Sequence, residues 1–177
     1  MNKPLLIISC PIDTYSGYGA RARDFVKALI NLDKYNVKIL SQRWGSTPES
    51  FLDENKEWTY LKQYLINQIT YQPDIWIQHT IPNEFQKVGK YNIGLTAGIE
   101  TTLCKAEWIE GLNRMDLIIG SSNHTTEVFK KSAFEKKDKN TNQTVGVVKA
   151  EKPLEVIFEG IDTNLFKPQK SNFNLSK

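Results

Sequence analysis

A short glycine-bearing segment near the amino terminus has the residue types of a loop that binds anions or sugars. It spans residues 13–19, has the sequence DTYSGYG and leads from a predicted strand directly into a predicted helix. In such a loop, backbone N–H groups and the positive end of the helix dipole can approach a phosphate or a sugar hydroxyl. The candidate binding residues are therefore Ser16, Gly17, Tyr18 and Gly19. The alternative is a turn whose glycines only relieve backbone strain.

The same glycines are compatible with a second class of protein, an oxidoreductase that binds NADP. Gly17, Gly19 and Ala22 match the Gly-x-Gly-x-x-Gly/Ala pattern of dinucleotide-binding folds. Two details oppose this assignment: the glycines begin several residues after the first strand, and the second strand is not followed by the acidic residue that holds an adenosine ribose. Arg43 follows that strand instead and suits a 2′-phosphate, so an NADP-binding Rossmann domain stays open as an alternative.

A histidine stands at the end of a later predicted strand. His79 ends the strand predicted over 74–79, and Thr80 follows it. A histidine in a cleft can donate a hydrogen bond to a sugar or carry a proton near neutral pH, which makes His79 the candidate catalytic residue and Thr80 a candidate binding residue. The alternative, a half-buried histidine bonded to a backbone carbonyl, stays open.

Polar residues also follow the next two predicted strands. Glu100 can accept hydrogen bonds from an acceptor hydroxyl, or can stabilise the start of the following helix. Thr101, Ser121 and Ser122 are candidate binding residues whose ordinary use is as helix caps. The sequence shows no Ser-His-Asp chain order, no pair of carboxylates at a catalytic spacing and no cluster of metal ligands. The residues alone therefore supply no complete catalytic set, and we expect no metal.

Alternating strands and helices must position these residues. Apolar β-rich runs predict strands over 4–9, 37–40, 74–79, 92–96 and 117–120. Helical spacing of apolar residues predicts helices over 19–32, 58–69, 104–115 and 122–133. This alternation predicts an α/β fold with a Rossmann-like, doubly wound, mostly parallel sheet and helices on both faces. Ligands bind beyond the carboxyl ends of the strands in such sheets, where the candidate residues are found.

Two helices carry more detailed predictions. The helix over 19–32 is amphipathic, and its arginines, Arg21 and Arg23, fall on the face expected to meet solvent. The helix over 122–133 has three neighbouring N-cap candidates, which are Ser121, Ser122 and Asn123.

The last third of the chain is less regular. The polar, lysine-rich segment 135–142 predicts a surface loop. The runs 145–148 and 154–158 predict either a hairpin or a last strand with a flanking ribbon. We expect one domain over residues 1–168, followed by the start of an interdomain linker over 169–177.

Composition excludes several classes of protein. The 177 residues, of which 40% are hydrophobic and 24% charged, are enough for one folded domain. No apolar run approaches the roughly 20 residues that span a bilayer, so we expect no transmembrane segment. The two cysteines have no paired spacing, which indicates a reducing, cytoplasmic location. The net charge of +3 comes with dispersed lysines and does not indicate nucleic acid as a partner.

Three stretches carry a resemblance to a known family. They are the loop Ser16-Gly17-Tyr18-Gly19 with its helix, the region 93–123 with GIET at 98–101 and SSN at 121–123, and the run VIFEGIDTNLFKP at 156–168. The last run has an apolar strand, a glycine, an apolar residue, an aspartate and then Phe-x-Pro. In this order the stretches resemble the amino-terminal, acceptor-side domain of family-4-like retaining glycosyltransferases of the GT-B fold.

The resemblance implies an activity and a second domain that this activity requires. The complete enzyme would transfer a sugar from a nucleotide-diphosphate donor to an acceptor hydroxyl with retention of configuration, without a cofactor or a metal. The family's second domain, which provides most donor contacts, is absent from this chain and would be supplied in cis or in trans. One domain forms only one wall of the cleft and lacks the preorganised charges that such a transfer requires. We therefore expect little activity from this chain alone. A non-catalytic module that binds sugars or nucleotides is the alternative.

Overall fold

The computed structural model describes residues 3–138, 140–164 and 166–168. Its centre is a parallel sheet of seven strands in the order β3-β2-β1-β4-β5-β6-β9. These strands are β1 (Leu5–Cys10), β2 (Asn36–Ser41), β3 (Leu65–Ile66), β4 (Ile75–His79), β5 (Tyr91–Thr96), β6 (Leu117–Gly120) and β9 (Leu154–Val156). A separate antiparallel ribbon contains β7 (Ala133–Lys137) and β8 (Thr144–Lys149).

Helices cover both faces of the sheet. They are α1 (Gly17–Asn31), α2 (Phe51–Glu54), α3 (Ala106–Asn113) and α4 (Asn123–Lys131), with 3-10 turns over Thr59–Tyr64 and Pro82–Glu84. Ile8 of β1 packs with Val26 of α1 in one core, whereas Ile7 joins Ile109 of α3 and Phe129 of α4 in the other. Neighbouring residues of β1 thus enter opposite cores, as expected for a strand buried on both sides. The predicted Rossmann-like, doubly wound fold is confirmed.

The order of the strands reverses at β1. The chain runs outward from β1 through β2 to β3, then returns to β4 on the other side of β1 and continues outward through β5 and β6. Ligands of open α/β sheets bind at such a reversal, outside the carboxyl ends of the strands. Here those ends are Cys10 of β1 and His79 of β4.

The predicted helix over 58–69 is wrong. The segment forms the 3-10 turn Thr59–Tyr64 and then the short strand β3, in which Leu65 and Ile66 pair with Ile39 and Leu40 of β2. A short apolar run has no periodicity that separates strand from helix, and pairing at the edge of the sheet decides the outcome here.

In the last third of the chain, one of the two arrangements predicted for the runs 145–148 and 154–158 forms. Residues 135–137, predicted as loop, belong to β7 and pair with β8, so that part of the loop prediction is wrong. A hairpin between 145–148 and 154–158 is also wrong, because β9 joins the main sheet with Leu154 beside Ile118 of β6. A last strand with a flanking ribbon is what forms. The linker predicted over 169–177 lies outside the described residues.

No helix in the part of the chain that the structure describes is long and apolar enough to cross a membrane.

Candidate functional site

The loop after β1 is held in place by a buried arginine. Arg23 of α1 donates from Nη1 to the backbone oxygens of Ile12 and Thr14, at 2.9 Å each. Its guanidinium lies 3.4 Å from the ring centroid of Phe51, and only 4% of the residue is exposed. The prediction that Arg23 faces solvent is therefore wrong, because the loop carbonyls compete successfully with water for its N–H groups. A loop fixed in this way is preorganised for binding.

Ser16 and Gly19 build the turn into α1. Ser16 is the N-cap, and its Oγ accepts a hydrogen bond from the backbone N–H of Gly19 at 2.9 Å. A Cβ on Gly19 would lie 2.4 Å from the backbone oxygen of Thr14, so glycine is required for this close approach. A Cβ on Gly17 would meet no atom within 4 Å. Gly17 is thus the open part of the loop, whereas the side chain of Ser16 is occupied by the turn.

Tyr18 connects the loop to the carboxyl ends of the other strands. Its ring stacks on the His79 imidazole with centroids 4.8 Å apart, and on the Trp44 indole with centroids 4.0 Å apart. Its phenol oxygen accepts from the backbone N–H of Ala97 at 3.1 Å and lies 3.2 Å from Oγ1 of Thr96. Tyr18 therefore touches residues that follow or end β2, β4 and β5. We call Tyr18, Trp44 and His79 the aromatic stack.

His79 is a buried imidazole without a partner for its ring. None of its surface is exposed, and neither Nδ1 nor Nε2 makes a hydrogen bond within the described ranges. Burial, helped by the positive charge of Arg21, lowers the pKa of His79 to about 3. The ring is therefore neutral at pH 7, with one N–H donor and one nitrogen acceptor. Leaving a buried polar group unpaired costs about 1–3 kcal/mol. Native structures seldom carry such a group without a reason, and a functional role is one such reason.

Arg21 joins α1 to the segment that follows β9. Its Nη1 donates to Oε1 of Glu159 at 2.7 Å, and its Nη2 donates to the backbone oxygen of Ile157 at 2.8 Å. The side chain is only 10% exposed, so its predicted place on the solvent face is wrong. A groove of about 520 Å³ runs between α1 and residues 157–162. The positive charge of Arg21 is therefore paired with the Glu159 carboxylate, while the amino terminus of α1 carries a partial positive charge of its own.

Thr80 is also buried behind the stack. Its backbone N–H donates to the carbonyl of Leu95 at 3.1 Å, and its hydroxyl donates to the carboxylate of Glu84. Thr80 has no exposed surface. Its side chain therefore positions Glu84 and is not itself available to a ligand.

The remaining predicted residues lie farther along the edge of the sheet. Ser121 donates to the carbonyl of Ala97 at 3.0 Å, so Ala97 joins it to Tyr18. Ser122 is the N-cap of α4 and accepts from the backbone N–H of Thr125 at 3.1 Å. That outcome matches the ordinary use of Ser122 as a cap.

Glu100 and Thr101 lie on the exposed loop after β5. The hydroxyl of Thr101 donates to the carbonyl of Leu103 at 2.7 Å. The structure therefore brings Tyr18, His79 and Ser121 together, but it does not bring Glu100 or Thr101 into contact with the aromatic stack.

Sequence inspection missed Trp44 and the role of Arg21. Trp44 lies just beyond the carboxyl end of β2, so the rule that selected His79 would have found it as well. Arg21 lies one helical turn after Gly17, on the side of α1 that faces residues 157–159.

The geometry of the loop differs from that of a dinucleotide-binding fingerprint. Residues 11–16 separate the end of β1 from the start of α1, whereas the fingerprint places its first glycine in a tight turn at the strand end. Arg43 is exposed and its Nε lies 3.7 Å from the Glu49 carboxylate. Neither feature favours a dinucleotide.

The site thus combines an aromatic stack that includes a neutral imidazole, a glycine loop fixed by Arg23, and the amino terminus of a helix that carries Arg21. Across the described segments, no three histidine, cysteine or acidic residues are grouped as metal ligands. Such a set can orient a hydroxyl and stabilise an anion, but it contains no nucleophile with an activating base. Comparison of the chain with protein-family models, with curated proteins and with solved structures gives no match.

Proposed function

We propose that this chain forms the acceptor-side half of a retaining GT-B glycosyltransferase that uses a nucleotide-diphosphate sugar. The observation that carries the proposal is the buried, unpartnered imidazole of His79 at the topological switch point, against Tyr18 of the glycine loop. Polar groups without partners are expensive to bury, so a site retains one where a ligand uses it. The resemblance of the sequence supplies the reaction class.

In this proposal His79 orients a sugar hydroxyl and does not act as a base. A ring whose pKa is about 3 is a weak proton acceptor at neutral pH, but its N–H is a good donor. A hydroxyl both donates and accepts, and it therefore matches the two nitrogens of a neutral imidazole. Because His79 has no exposed surface, contact requires the Tyr18 ring to swing away. That movement breaks two aromatic pairs, at about 0.5–1.5 kcal/mol each, and the hydrogen bonds of the phenol to Ala97 and Thr96, at about 0.5–1.5 kcal/mol each, and binding energy must offset the sum.

The start of α1 would face the diphosphate of the donor, and Arg21 would join it where the diphosphate replaces Glu159 as the partner of the guanidinium. The helix has no acidic residue in its first turn, and its amino terminus carries a partial positive charge. Gly17, where the loop is open, lets a ligand approach the backbone closely. These groups stabilise a leaving diphosphate without a metal. The second domain would add the remaining donor contacts across the cleft.

The surface after β9 favours a half enzyme over a stand-alone binding module. Phe158, Ile161 and Phe166 are 65%, 69% and 63% exposed, and they follow one another closely in the chain. Soluble monomers rarely expose large apolar patches, and a second domain docked on this segment would cover these side chains. A cytoplasmic location is part of the proposal, in keeping with the two buried free thiols, Cys10 and Cys104.

The test uses the protein expressed from its complete gene. It is incubated with UDP-glucose, UDP-galactose, UDP-N-acetylglucosamine, GDP-mannose or ADP-glucose, with and without a mixture of saccharide acceptors, and release of nucleoside diphosphate is measured. We expect acceptor-dependent release from one donor, and a product whose anomeric proton coupling shows retention. A protein that binds NADPH, detected by nicotinamide fluorescence, and releases nothing from any donor would overturn the proposal in favour of an oxidoreductase.

A further inference from the structure

A small pocket opens beside the aromatic stack, at the carboxyl ends of β2 and β4. It has a volume of about 360 Å³ and lies between the loop 43–47 and the turn after His79. Its lining includes Arg43, Trp44, Ser46, Thr47, Ile81 and Glu84. The volume is near the lower end of the range, about 300–1,000 Å³, of pockets that hold small ligands.

The lining has the chemistry of a sugar site. Trp44 offers an aromatic surface for the C–H groups of a pyranose, while the carboxylate of Glu84 accepts hydrogen bonds from hydroxyls. Ser46 and Thr47 add hydroxyl groups that both donate and accept. Trp44 and Ile81 give the pocket an apolar surface beside these polar groups, as a pyranose ring requires. A phosphate is disfavoured because Glu84 carries negative charge and because the guanidinium of Arg43 lies 3.7 Å from the Glu49 carboxylate.

Glu84 is held in position by residues next to His79. The hydroxyl of Thr80 donates to its Oε2, and the side-chain amide of Gln78 donates to its backbone oxygen at 3.0 Å. Its Oε1 makes no hydrogen bond to any residue that the structure describes. One carboxylate oxygen is therefore fixed and the other is available for a ligand hydroxyl.

Trp44 connects the pocket to the candidate catalytic residue. Its indole lines the pocket and also stacks on Tyr18, which in turn stacks on His79. A ligand that packs on Trp44 is thus connected to the buried imidazole through two stacked rings, those of Trp44 and Tyr18. We propose that this pocket binds a saccharide unit of the acceptor, with Trp44 as the platform and Glu84 as the hydroxyl anchor. This inference rests on the proposed glycosyl transfer, since it names the acceptor class as carbohydrate.

The test needs no nucleotide sugar, so it separates this inference from the proposed function. The chain has four tryptophans, whose indole N–H signals can be followed in a two-dimensional ¹H–¹⁵N spectrum, and Trp44→Phe would identify the Trp44 signal by its loss. Methyl glycosides of glucose, galactose, mannose and N-acetylglucosamine are titrated in turn. We expect at least one of them to move the Trp44 signal in a saturable way while the other three indole signals stay in place.

Two variants decide whether the pocket causes the shift. Glu84→Gln keeps an oxygen that can accept from Thr80 but removes the charge, so affinity should fall about tenfold. Glu110→Gln, at an exposed position on α3, is the matched control and should leave affinity unchanged. If no methyl glycoside moves the Trp44 signal, if Glu84→Gln binds as tightly as the parent, or if uridine monophosphate shifts Trp44 and the glycosides do not, the inference is overturned.

Discussion

Replacing His79 by phenylalanine should leave the protein folded and make its stability less sensitive to acid. At pH 7 two energies oppose each other: the variant no longer buries two unpaired nitrogens, which cost about 1 kcal/mol each at the lower end of the range, but a phenyl ring is larger and overpacking costs about 1–3 kcal/mol. A phenyl ring also keeps an aromatic partner for Tyr18. We therefore expect the free energies of unfolding of parent and variant to agree within about 1 kcal/mol at pH 7.

Parent and variant should differ more in the pH dependence of their free energies of unfolding than in their stability at pH 7. The pKa of His79 is about 3 in the folded protein and 6.5 for the free side chain, so between these values the unfolded chain binds the extra proton. Stability contributed by the neutral ring is present above pH 6.5 and is lost as the pH falls. Each pH unit in that window costs about 1.4 kcal/mol, or about 2.7 kcal/mol at roughly pH 4.5. His79→Phe removes this loss, while the carboxylates titrate alike in both proteins.

Urea unfolding followed by circular dichroism measures both effects. The parent, His79→Phe and the control His124→Phe, whose histidine is exposed, are compared at neutral pH and at about pH 4.5. The control should follow the parent at both pH values. A variant that loses more than about 3 kcal/mol at neutral pH, beyond the cost of overpacking, would show that the ring forms structural hydrogen bonds. Equal acid sensitivity of parent and His79→Phe would refute the buried neutral imidazole.

Three further predictions concern the loop after β1 and the Arg21–Glu159 ion pair, which joins α1 to residues 157–162. Gly19→Ala should lower the free energy of unfolding by about 2–4 kcal/mol, because its Cβ would lie 2.4 Å from the backbone oxygen of Thr14, and thermal unfolding would reveal it. Gly17→Ala should change stability by less than about 0.5 kcal/mol in the same measurement, since its Cβ meets open space; a large loss would contradict the exposed loop. Glu159→Gln should speed amide hydrogen exchange over residues 157–162 by weakening the bond to Arg21, with little effect on global stability; unchanged exchange would show that the ion pair does not hold the segment.

The sequence was sufficient to predict most of the fold because the strongest elements have clear periodicity. The apolar runs of β1 and β6 and the amphipathic pattern of α1 were found within two residues of their observed bounds. β3 was missed because two residues at a sheet edge form a strand through pairing with β2, and local pattern does not contain that information. The burial of Arg23 was missed for a similar reason. A guanidinium can be buried only where acceptors are available for its N–H groups. The tertiary fold places the backbone carbonyls of Ile12 and Thr14 in that position.

The site was predictable in location but not in detail. The rule that ligands bind at the carboxyl ends of strands selected His79, and the reversal of strand order beside β4 agrees with it. The same rule selected Glu100, which lies on an exposed loop, because a position after a strand does not fix where the side chain points. The stack of Tyr18 on Trp44 and His79 joins three distant parts of the chain. Only the assembled sheet brings them together.

The most direct test of the proposed glycosyl transfer is the activity of His79→Phe in the protein expressed from the complete gene. Acceptor-dependent release of nucleoside diphosphate is measured for parent and variant, together with the free energy of unfolding of the same samples. We expect a variant that is folded and within about 1 kcal/mol of the parent in stability, yet slower by about 100-fold, because a hydrogen bond to the reacting sugar is lost. A variant that is equally stable and equally active would show that His79 does not serve the reaction and would contradict the site proposed for it.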